Sequence, residues 1–332
     1  MKQYRNKKFS ITTKILIILN LLLIVLIPNS QAIEIAYPNK PIRLIVPFPP
    51  GGGTDIVSRI MQPSLQSILG QPILIDNRGG AQGILGTSIA AKANPDGHTI
   101  VVAEIGATAI APATQPHLNF NIIKNFSAIS QLIEQPYIVV IHPSLNAKSL
   151  GDFIKIAQSK PNTLNFGSGN ITAHVAQELF YQTAKIKLTH IPYKGSGPSV
   201  TAAISGEVQS VFAGPGAAIP QIKANKLRAL AVTTARRSPQ LPEIMTLSEQ
   251  GFSGFSISGW YGLMAPIGTT QKIINSLNSA VKIVLSGEAG KILRDRGYEP
   301  IPTAPEDFTV FLKSEIERWS KVVKDNGIKS DE

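Results

Sequence analysis

Short apolar runs alternate along the chain with segments whose apolar residues recur at helical spacing. The runs are apolar on both faces, which is typical of strands in a sheet that helices cover on both sides. The segments between them include GILGTSIAAKA, LGDFIKIAQ and VAQELFYQTA. The pattern therefore predicts an α/β fold, with strands at IRLIVPF, PILIDN, HTIVVAE, YIVVIHP, LNFGS, LTHIPY, VQSVFAG, LRALAVT and WYGLMAP.

The sequence marks the limits of two helices. One is predicted over Thr54–Leu69, and Pro63 should kink or split it because proline lacks an N–H and clashes with the preceding turn. The last helix should begin at a capping signal that includes Thr303 and Pro305 and should end at Gly327.

The first 32 residues have the composition of a secretory signal peptide. MKQYRNKKFSITTK carries five Lys or Arg residues and no acidic residue, and the apolar run ILIILNLLLIVLI follows it. Ser30 and Ala32 supply the small residues of a cleavage site. The alternative is an uncleaved membrane anchor, but the apolar run is shorter than the roughly 20 residues that span a bilayer. We therefore predict a signal peptide over residues 1–32 and a mature chain that begins near Ile33.

Composition excludes several classes of protein. The net charge is +11, but five basic residues lie in the predicted signal peptide and the others are scattered. The longest later cluster, Arg236 and Arg237, is too short for a nucleic-acid-binding stripe. The chain has no cysteine, so it is not a disulfide scaffold. Its 332 residues suffice to bury two apolar cores, which predicts two domains.

A glycine-rich loop follows the first predicted strand, in IRLIVPFPPGGGTD. Gly51, Gly52 and Gly53 lead into a helix, so unpaired backbone N–H groups at the helix N-terminus would favour an anion. The loop lacks the Gly-Lys-Ser/Thr ending of a P-loop and the glycine spacing of a dinucleotide fingerprint, which argues against a nucleotide. The alternative is a tight turn in which Thr54 or Asp55 is an ordinary N-cap.

Two further loops have a similar character. NFGSGNITAH follows a strand and precedes a helix, and it brings Ser168, Asn170 and Thr172 next to glycine backbone. This loop and the first loop could therefore bind one ligand from two sides. HIPYKGSGPS supplies Tyr193 and Lys194 before a short helix, and its alternative interpretation is a surface turn with a solvated lysine.

Long motifs extend these local patterns. They are YPNKPIRLIVPFPPGGGTDIVSRI, LGQPILIDNRGGAQGILGTSIAAKANPDGHTIVVA, IPYKGSGPSVTAAISGEVQSVF, LRALAVTTARRSPQLPEIMTLSEQG and WYGLMAPIGTT. In this order they resemble the solute-binding proteins of the tripartite tricarboxylate transporter family, the Bug receptors, over about residues 37–327. The resemblance implies a type II-like periplasmic-binding-protein fold. In that fold, two α/β lobes are joined by two crossing strands and close on a small ligand that usually bears a carboxylate.

The resemblance also implies a domain organisation and partners. It places lobe one at residues 33–135 plus 260–332 and lobe two at residues 136–259, with crossings at Gln135–His142 and Gly259–Pro266. We expect a monomer in the periplasm that delivers its organic anion to the membrane permease subunits of a transporter, without a cofactor or metal.

The family's ligand loops can be carried onto this sequence. The loops that match Phe48–Asp55 and Gly167–His174 hold the ligand's carboxylate in that family, partly through bridging waters. His174 either orients the second loop or is an ordinary hydrogen-bonding helix residue. With the third loop included, the predicted ligand-binding residues are Phe48, Pro50, Gly51, Gly52, Thr54, Asp55, Ser168, Gly169, Asn170, Thr172, His174, Tyr193 and Lys194.

The sequence departs from the family at two places. The loop over residues 166–174 is a residue or two shorter than in most relatives. Ala213, Gly214 and Pro215 stand where many relatives carry an aspartate after the strand VQSVF. Loss of that carboxylate argues against an amino acid, whose ammonium would need a partner, but di- and tricarboxylates, aromatic acids and amino acids all remain open.

A secreted α/β enzyme that acts on a small organic acid is the alternative function. The chain has neither a Gly-x-Ser-x-Gly nucleophile elbow nor a His-Glu-x-x-His zinc motif, and its five histidines are far apart in sequence. A purely structural protein would not explain two anion-type loops at strand ends. We therefore predict a non-catalytic receptor.

Overall fold

The computed structural model describes residues 36–115 and 118–326. The predicted signal peptide with its cleavage site, His117 and Gly327 lie outside the described residues. Each apolar run that was predicted to be a strand forms one. The sequence pattern missed two strands, Phe126–Pro136 and Glu299–Pro300.

Within the described residues, six strands form a first sheet of mixed direction. Their spatial order is β11 (Glu299–Pro300), β4 (Phe126–Pro136), β10 (Ser258–Pro266), β3 (Thr99–Glu104), β1 (Ile42–Val46) and β2 (Ile73–Asn77). Strand β1 is parallel to β2 and β3, whereas β10 is antiparallel to β3 and β4. The central strands are almost entirely buried, which explains why they lack polar alternation.

Five strands of the described chain form a second sheet. Their spatial order is β7 (Thr189–Pro192), β6 (Asn165–Ser168), β8 (Ser210–Ala213), β5 (Ile138–Ile141) and β9 (Arg228–Val232). Strand β6 is parallel to β7 and β8, and β5 is antiparallel to β8 and β9. Each sheet thus combines parallel strands with antiparallel strands.

Helices connect most of the strands. The α-helices are α1 (Gly53–Leu69), α2 (Ile84–Ala91), α3 (Ala111–Thr114), α4 (Ile122–Asn125), α5 (Leu150–Ser159), α6 (Ile171–Ala184), α7 (Ser196–Ser205), α8 (Pro215–Lys223), α9 (Gln271–Ser286), α10 (Glu288–Asp295) and α11 (Pro305–Asp325). A π-helical turn, Gly106–Ile110, precedes α3. Helix α1 is continuous through Pro63, so the alternative of a split helix is wrong. No helix in the described ranges has the length and apolarity needed to span a bilayer.

The chain passes between the two sheets at two adjacent places. Strand β4 of the first sheet leads through Tyr137 directly into β5 of the second, and residues 233–257 lead back from β9 to β10. Thr233 ties these passages together, because its hydroxyl accepts a hydrogen bond from the Tyr137 N–H (3.0 Å) and donates to the Ile257 carbonyl (2.6 Å). The two connections therefore form one hydrogen-bonded junction.

The last helix packs on the first sheet as its apolar stripe predicts, but it begins differently. Its N-cap is Ala304, without a side-chain cap. The predicted capping role of Thr303 is therefore wrong, and its hydroxyl instead accepts a hydrogen bond from the Gln131 N–H at 3.0 Å. Buried Glu315 on this helix accepts hydrogen bonds from the indole N–H groups of Trp260 and Trp319, at 2.9 and 3.1 Å. These bonds compensate the burial of the carboxylate.

Candidate ligand-binding site

The carboxyl ends of β1 and β3 in the first sheet and of β6 in the second sheet surround one small cavity. Its volume is about 20 Å³, room for about one water molecule. Ligands of open α/β sheets bind outside the carboxyl ends of the strands, so the cavity lies where a ligand is expected. Seven of the predicted residues line it: Phe48, Pro50, Gly52, Thr54, Gly169, Asn170 and Lys194.

The first loop presents an uncapped helix N-terminus to this cavity. Helix α1 begins at Gly53, and its N-cap is Gly52, in the extended conformation with φ −77° and without a side-chain cap. The alternative in which Thr54 or Asp55 is the N-cap is therefore wrong. Gly51 has φ +82°, a conformation that glycine adopts without steric cost. The first N–H groups of α1 thus have no side-chain acceptor at the N-cap, which favours an anion there.

Asp55 stabilises this loop through hydrogen bonds and does not line the cavity. Its carboxylate accepts hydrogen bonds from the Gly51 N–H (2.9 Å), the Arg59 Nε–H (2.9 Å) and Asn77 Nδ2 (3.1 Å). Burial opposes the charged form of Asp55, but the hydrogen bonds from Arg59, Gly51 and Asn77 hold the pKa of its carboxyl below the usual value. Asn77 also donates to the Phe48 carbonyl at 3.0 Å. Asp55 therefore fixes the shape of the loop.

The second loop lies against the third. Asn170 is the N-cap of α6 and accepts a hydrogen bond from the Ala173 N–H at 2.8 Å. A Cβ atom at Gly169 would overlap the backbone of Gly195 and Ser196. Only glycine therefore allows these two loops to approach each other so closely.

The remaining predicted residues of the second loop, Ser168, Thr172 and His174, do not line the cavity. The Ser168 hydroxyl is 2.7 Å from His190 Nε2. The buried His174 ring stacks on the His190 ring, with centroids 3.9 Å apart, and its Nε2 lies 3.7 Å from a Glu178 carboxylate oxygen. This placement favours the interpretation of His174 as an ordinary hydrogen-bonding helix residue.

A larger groove adjoins the small cavity. Its volume is about 1020 Å³, and Tyr193 and Lys194 line it together with Phe48 and the turn over residues 79–83. The Tyr193 hydroxyl donates a hydrogen bond to Glu207 at 2.8 Å, which fixes its ring. Lys194 therefore lines both the small cavity and the groove.

Glu104, at the end of β3, is a cavity residue that the sequence reasoning missed. It is 1% exposed. Its Oε2 accepts hydrogen bonds from the N–H groups of Gly106 (2.7 Å) and Ala107 (3.3 Å), and its Oε1 accepts one from the Thr172 hydroxyl (3.2 Å). Burial raises the pKa of Glu104 to about 7, although these hydrogen bonds lower it. An acidic residue at the end of the apolar run HTIVVAE was the available signal.

Three tyrosines line the small cavity or a second cavity beside it, and the sequence reasoning missed them as well. Tyr261 accepts a hydrogen bond from Gln135 Nε2 at 2.8 Å, and its hydroxyl leaves no space for a Cβ at Gly53. Tyr137 and Tyr298 line, with Gln135, a second cavity of about 10 Å³. Gly214 lines this second cavity too, so the position without an aspartate lies beside the site.

The donor set suits an organic anion. It combines an uncapped helix N-terminus, glycine backbone, the basic residue Lys194 and hydroxyl groups, in three loops that come from the two sheets. Within the part of the chain that the structure describes, no group of three or more His, Cys, Asp or Glu residues could hold a metal ion.

Two helix-covered β-sheets, joined by a double crossing and with glycine-rich loops that meet at one cavity, define the periplasmic-binding-protein class. Residues 57–328 match the model of the tripartite tricarboxylate transporter family receptor. The chain is 34% identical over 297 residues to the protein BugT of Bordetella pertussis, covering 88% of this chain and 91% of that protein. The chain therefore belongs to the tripartite tricarboxylate transporter receptor family, as its motifs predicted.

Solved structures agree in fold over most of the chain. A Rhodopseudomonas palustris protein with adipate is 33% identical, with a TM-score of 0.86 over 89% of this chain and 99% of that one. A second protein from that organism, with bound malate, is 31% identical, with a TM-score of 0.82 over 86% of this chain and 100% of that one. The predicted α/β periplasmic-binding-protein fold is thereby confirmed.

Proposed function

We propose that this protein is a periplasmic receptor that captures a small carboxylate and delivers it unchanged to the membrane subunits of a tripartite tricarboxylate-type transporter. The observation that carries the proposal is the uncapped N-terminus of α1, at Gly52 and Gly53. It lies at a cavity that loops of the second sheet also line. The adipate and malate of the two Rhodopseudomonas palustris relatives support carboxylates as the ligand class.

The domain limits are part of the proposal. Lobe one would comprise residues 33–135 plus 260–332, and lobe two residues 136–259. The strand membership of the two sheets supports this division, as does the junction of Tyr137, Thr233 and Ile257. A hinge there would let the lobes close on the ligand. Because one chain supplies both ligand loops, a monomer suffices for capture.

Titration calorimetry with adipate and malate tests the proposal. We expect at least one of these anions to bind, and adipamide, which lacks the charge, not to bind, because a helix N-terminus favours an anion. Ligand at a hundredfold excess over Kd should stabilise the protein by about 2.7 kcal/mol. Adipate and malate should be recovered chemically unchanged after long incubation. Turnover would favour the enzyme alternative, and equal binding of adipamide would contradict the anion site.

Export is tested by N-terminal sequencing of protein from a periplasmic extract. The basic and apolar composition of residues 1–32 predicts that the mature chain begins at Ile33, within a few residues. Full-length protein found only in the membrane fraction would contradict cleavage and favour the anchor.

A further inference from the structure

Glu104 is a buried acid in a site built for an anion. It lines the same cavity as the uncapped start of α1 at Gly52 and Thr54. Like charges within a few ångströms disfavour each other, so a charged Glu104 and a bound carboxylate are incompatible neighbours. A protonated Glu104 instead carries one O–H group that can donate a hydrogen bond.

The groups that face Glu104 do not neutralise its charge. From its own turn, Gly106 and Ala107 offer N–H groups, and α6 offers the Thr172 hydroxyl. The crossing and β10 contribute the phenols of Tyr137 and Tyr261, whose pKa values burial raises, so both are neutral.

Among the described residues that line this cavity, Lys194 in the third loop is the only lysine or arginine. In the described chain, no Lys, Arg or His forms an ion pair with Glu104.

The Glu104 contacts also join the two sheets. Glu104 ends β3 of the first sheet, and Thr172 lies in the first turn of α6, which follows β6 of the second sheet. Tyr137 and Asn170 line the second cavity together, so these contacts continue into the crossing. Separation of the sheets would break the Glu104–Thr172 bond and expose the carboxyl to water. The burial of Glu104 is therefore linked to the closed arrangement of the site.

We infer that Glu104 is a ligand-facing residue that acts as a carboxylic acid, so that capture of an anion takes up a proton. This inference rests on the proposed function, because it concerns the same site. It also commits to a ligand class, namely carboxylates without an ammonium group, because a protonated Glu104 donates its O–H group and offers an ammonium no anionic partner.

The sign of the pH dependence follows from linkage. The pKa of buried Glu104 is about 7, above its usual value of 4.5, and a neighbouring anion raises it further. The closed, liganded state therefore binds more protons than the open state. Its stability is complete at low pH and is lost as the pH rises through and above 7. Affinity should fall by up to about tenfold per pH unit where one proton is taken up per ligand.

Calorimetry with adipate, or with malate if adipate does not bind, tests the inference on the wild-type protein. Titrations at pH 7 in phosphate and in Tris, which differ in ionisation enthalpy, count the protons exchanged. We expect net proton uptake and an affinity that falls by about tenfold or more between pH 6.5 and 8.5. Succinate and L-aspartate, which differ by the ammonium group, should show that aspartate binds more weakly at pH 6.5.

Glu104→Gln keeps the size of the side chain and mimics the protonated acid. It should bind adipate at pH 6.5 within about threefold of the wild type, with no net proton uptake and no dependence of affinity on pH. Glu243→Gln, a change of an exposed glutamate outside the cavity, should retain the wild-type proton uptake. Carboxylate binding by the wild type without proton uptake would overturn the role of Glu104 and leave the receptor function intact. Failure of every carboxylate to bind at any pH would instead overturn the proposed function.

Discussion

Gly52→Asp should abolish carboxylate binding and leave the protein folded. Gly52 is the N-cap of α1 and lines the cavity. The carboxylate of an aspartate at this position would accept the hydrogen bonds from the helix N–H groups that we assign to the ligand. Each hydrogen bond to a charged group contributes about 1.5–3 kcal/mol, and the added like charge repels the ligand. Together these effects predict a loss of more than about a hundredfold in affinity.

The position tolerates a side chain, which makes the test clean. Gly52 has a negative φ, and the atom nearest to an added Cβ, the Pro49 carbonyl oxygen, would be 3.6 Å away. Because aspartate is also a better N-cap than glycine, the free energy of unfolding should be unchanged or rise by a few tenths of a kcal/mol.

Gly52→Asn is the matched control, since it has the same shape without the charge. It should weaken adipate binding less than the aspartate does. Calorimetry measures the affinities, and thermal unfolding confirms the fold. Wild-type affinity in a folded Gly52→Asp protein would show that the glycine loop is only a turn.

Gly169→Ala should both destabilise the protein and weaken ligand binding. The new methyl group would overlap the backbone of Gly195 and Ser196, so the second and third loops must separate. Overpacking of this kind costs about 1–3 kcal/mol. Asn170 and Lys194, which line the cavity beside these residues, would move with their loops. We expect binding of adipate to weaken by about tenfold or more, because about 1.4 kcal/mol corresponds to a factor of ten.

Gly151→Ala provides the control for this glycine. It lies in α5, and the atom nearest to an added Cβ there is the Ser149 hydroxyl oxygen at 3.8 Å. Gly151 is the second residue of this helix, and alanine has a higher helix propensity than glycine, so this variant should be at least as stable as the wild type. Its affinity for adipate should not change. A Gly169→Ala protein with wild-type stability and affinity would show that the two loops can move apart without cost.

The strands could be predicted where the apolar pattern is continuous, and β4 shows why this signal fails elsewhere. Its sequence, FSAISQLIEQP, carries buried Ser130, Gln131 and Gln135. Their hydrogen-bond partners include Thr303 and Tyr261, which are distant in sequence. A strand whose buried polar residues form hydrogen bonds with distant residues has no local apolar pattern to reveal it.

The candidate site likewise has features that the sequence predicts and features that only the structure shows. The sequence by itself determined that glycine loops follow strands and precede helices, because chain direction and backbone freedom are local properties, and its motifs determined the family. Only the tertiary structure decided that Asp55 forms a hydrogen bond with the first loop, that Thr172 forms one with Glu104 and that Tyr261 lines the cavity. The pKa of Glu104 and the shape of the cavity depend on burial by segments that are far apart in the chain, and no local pattern encodes which segments those are.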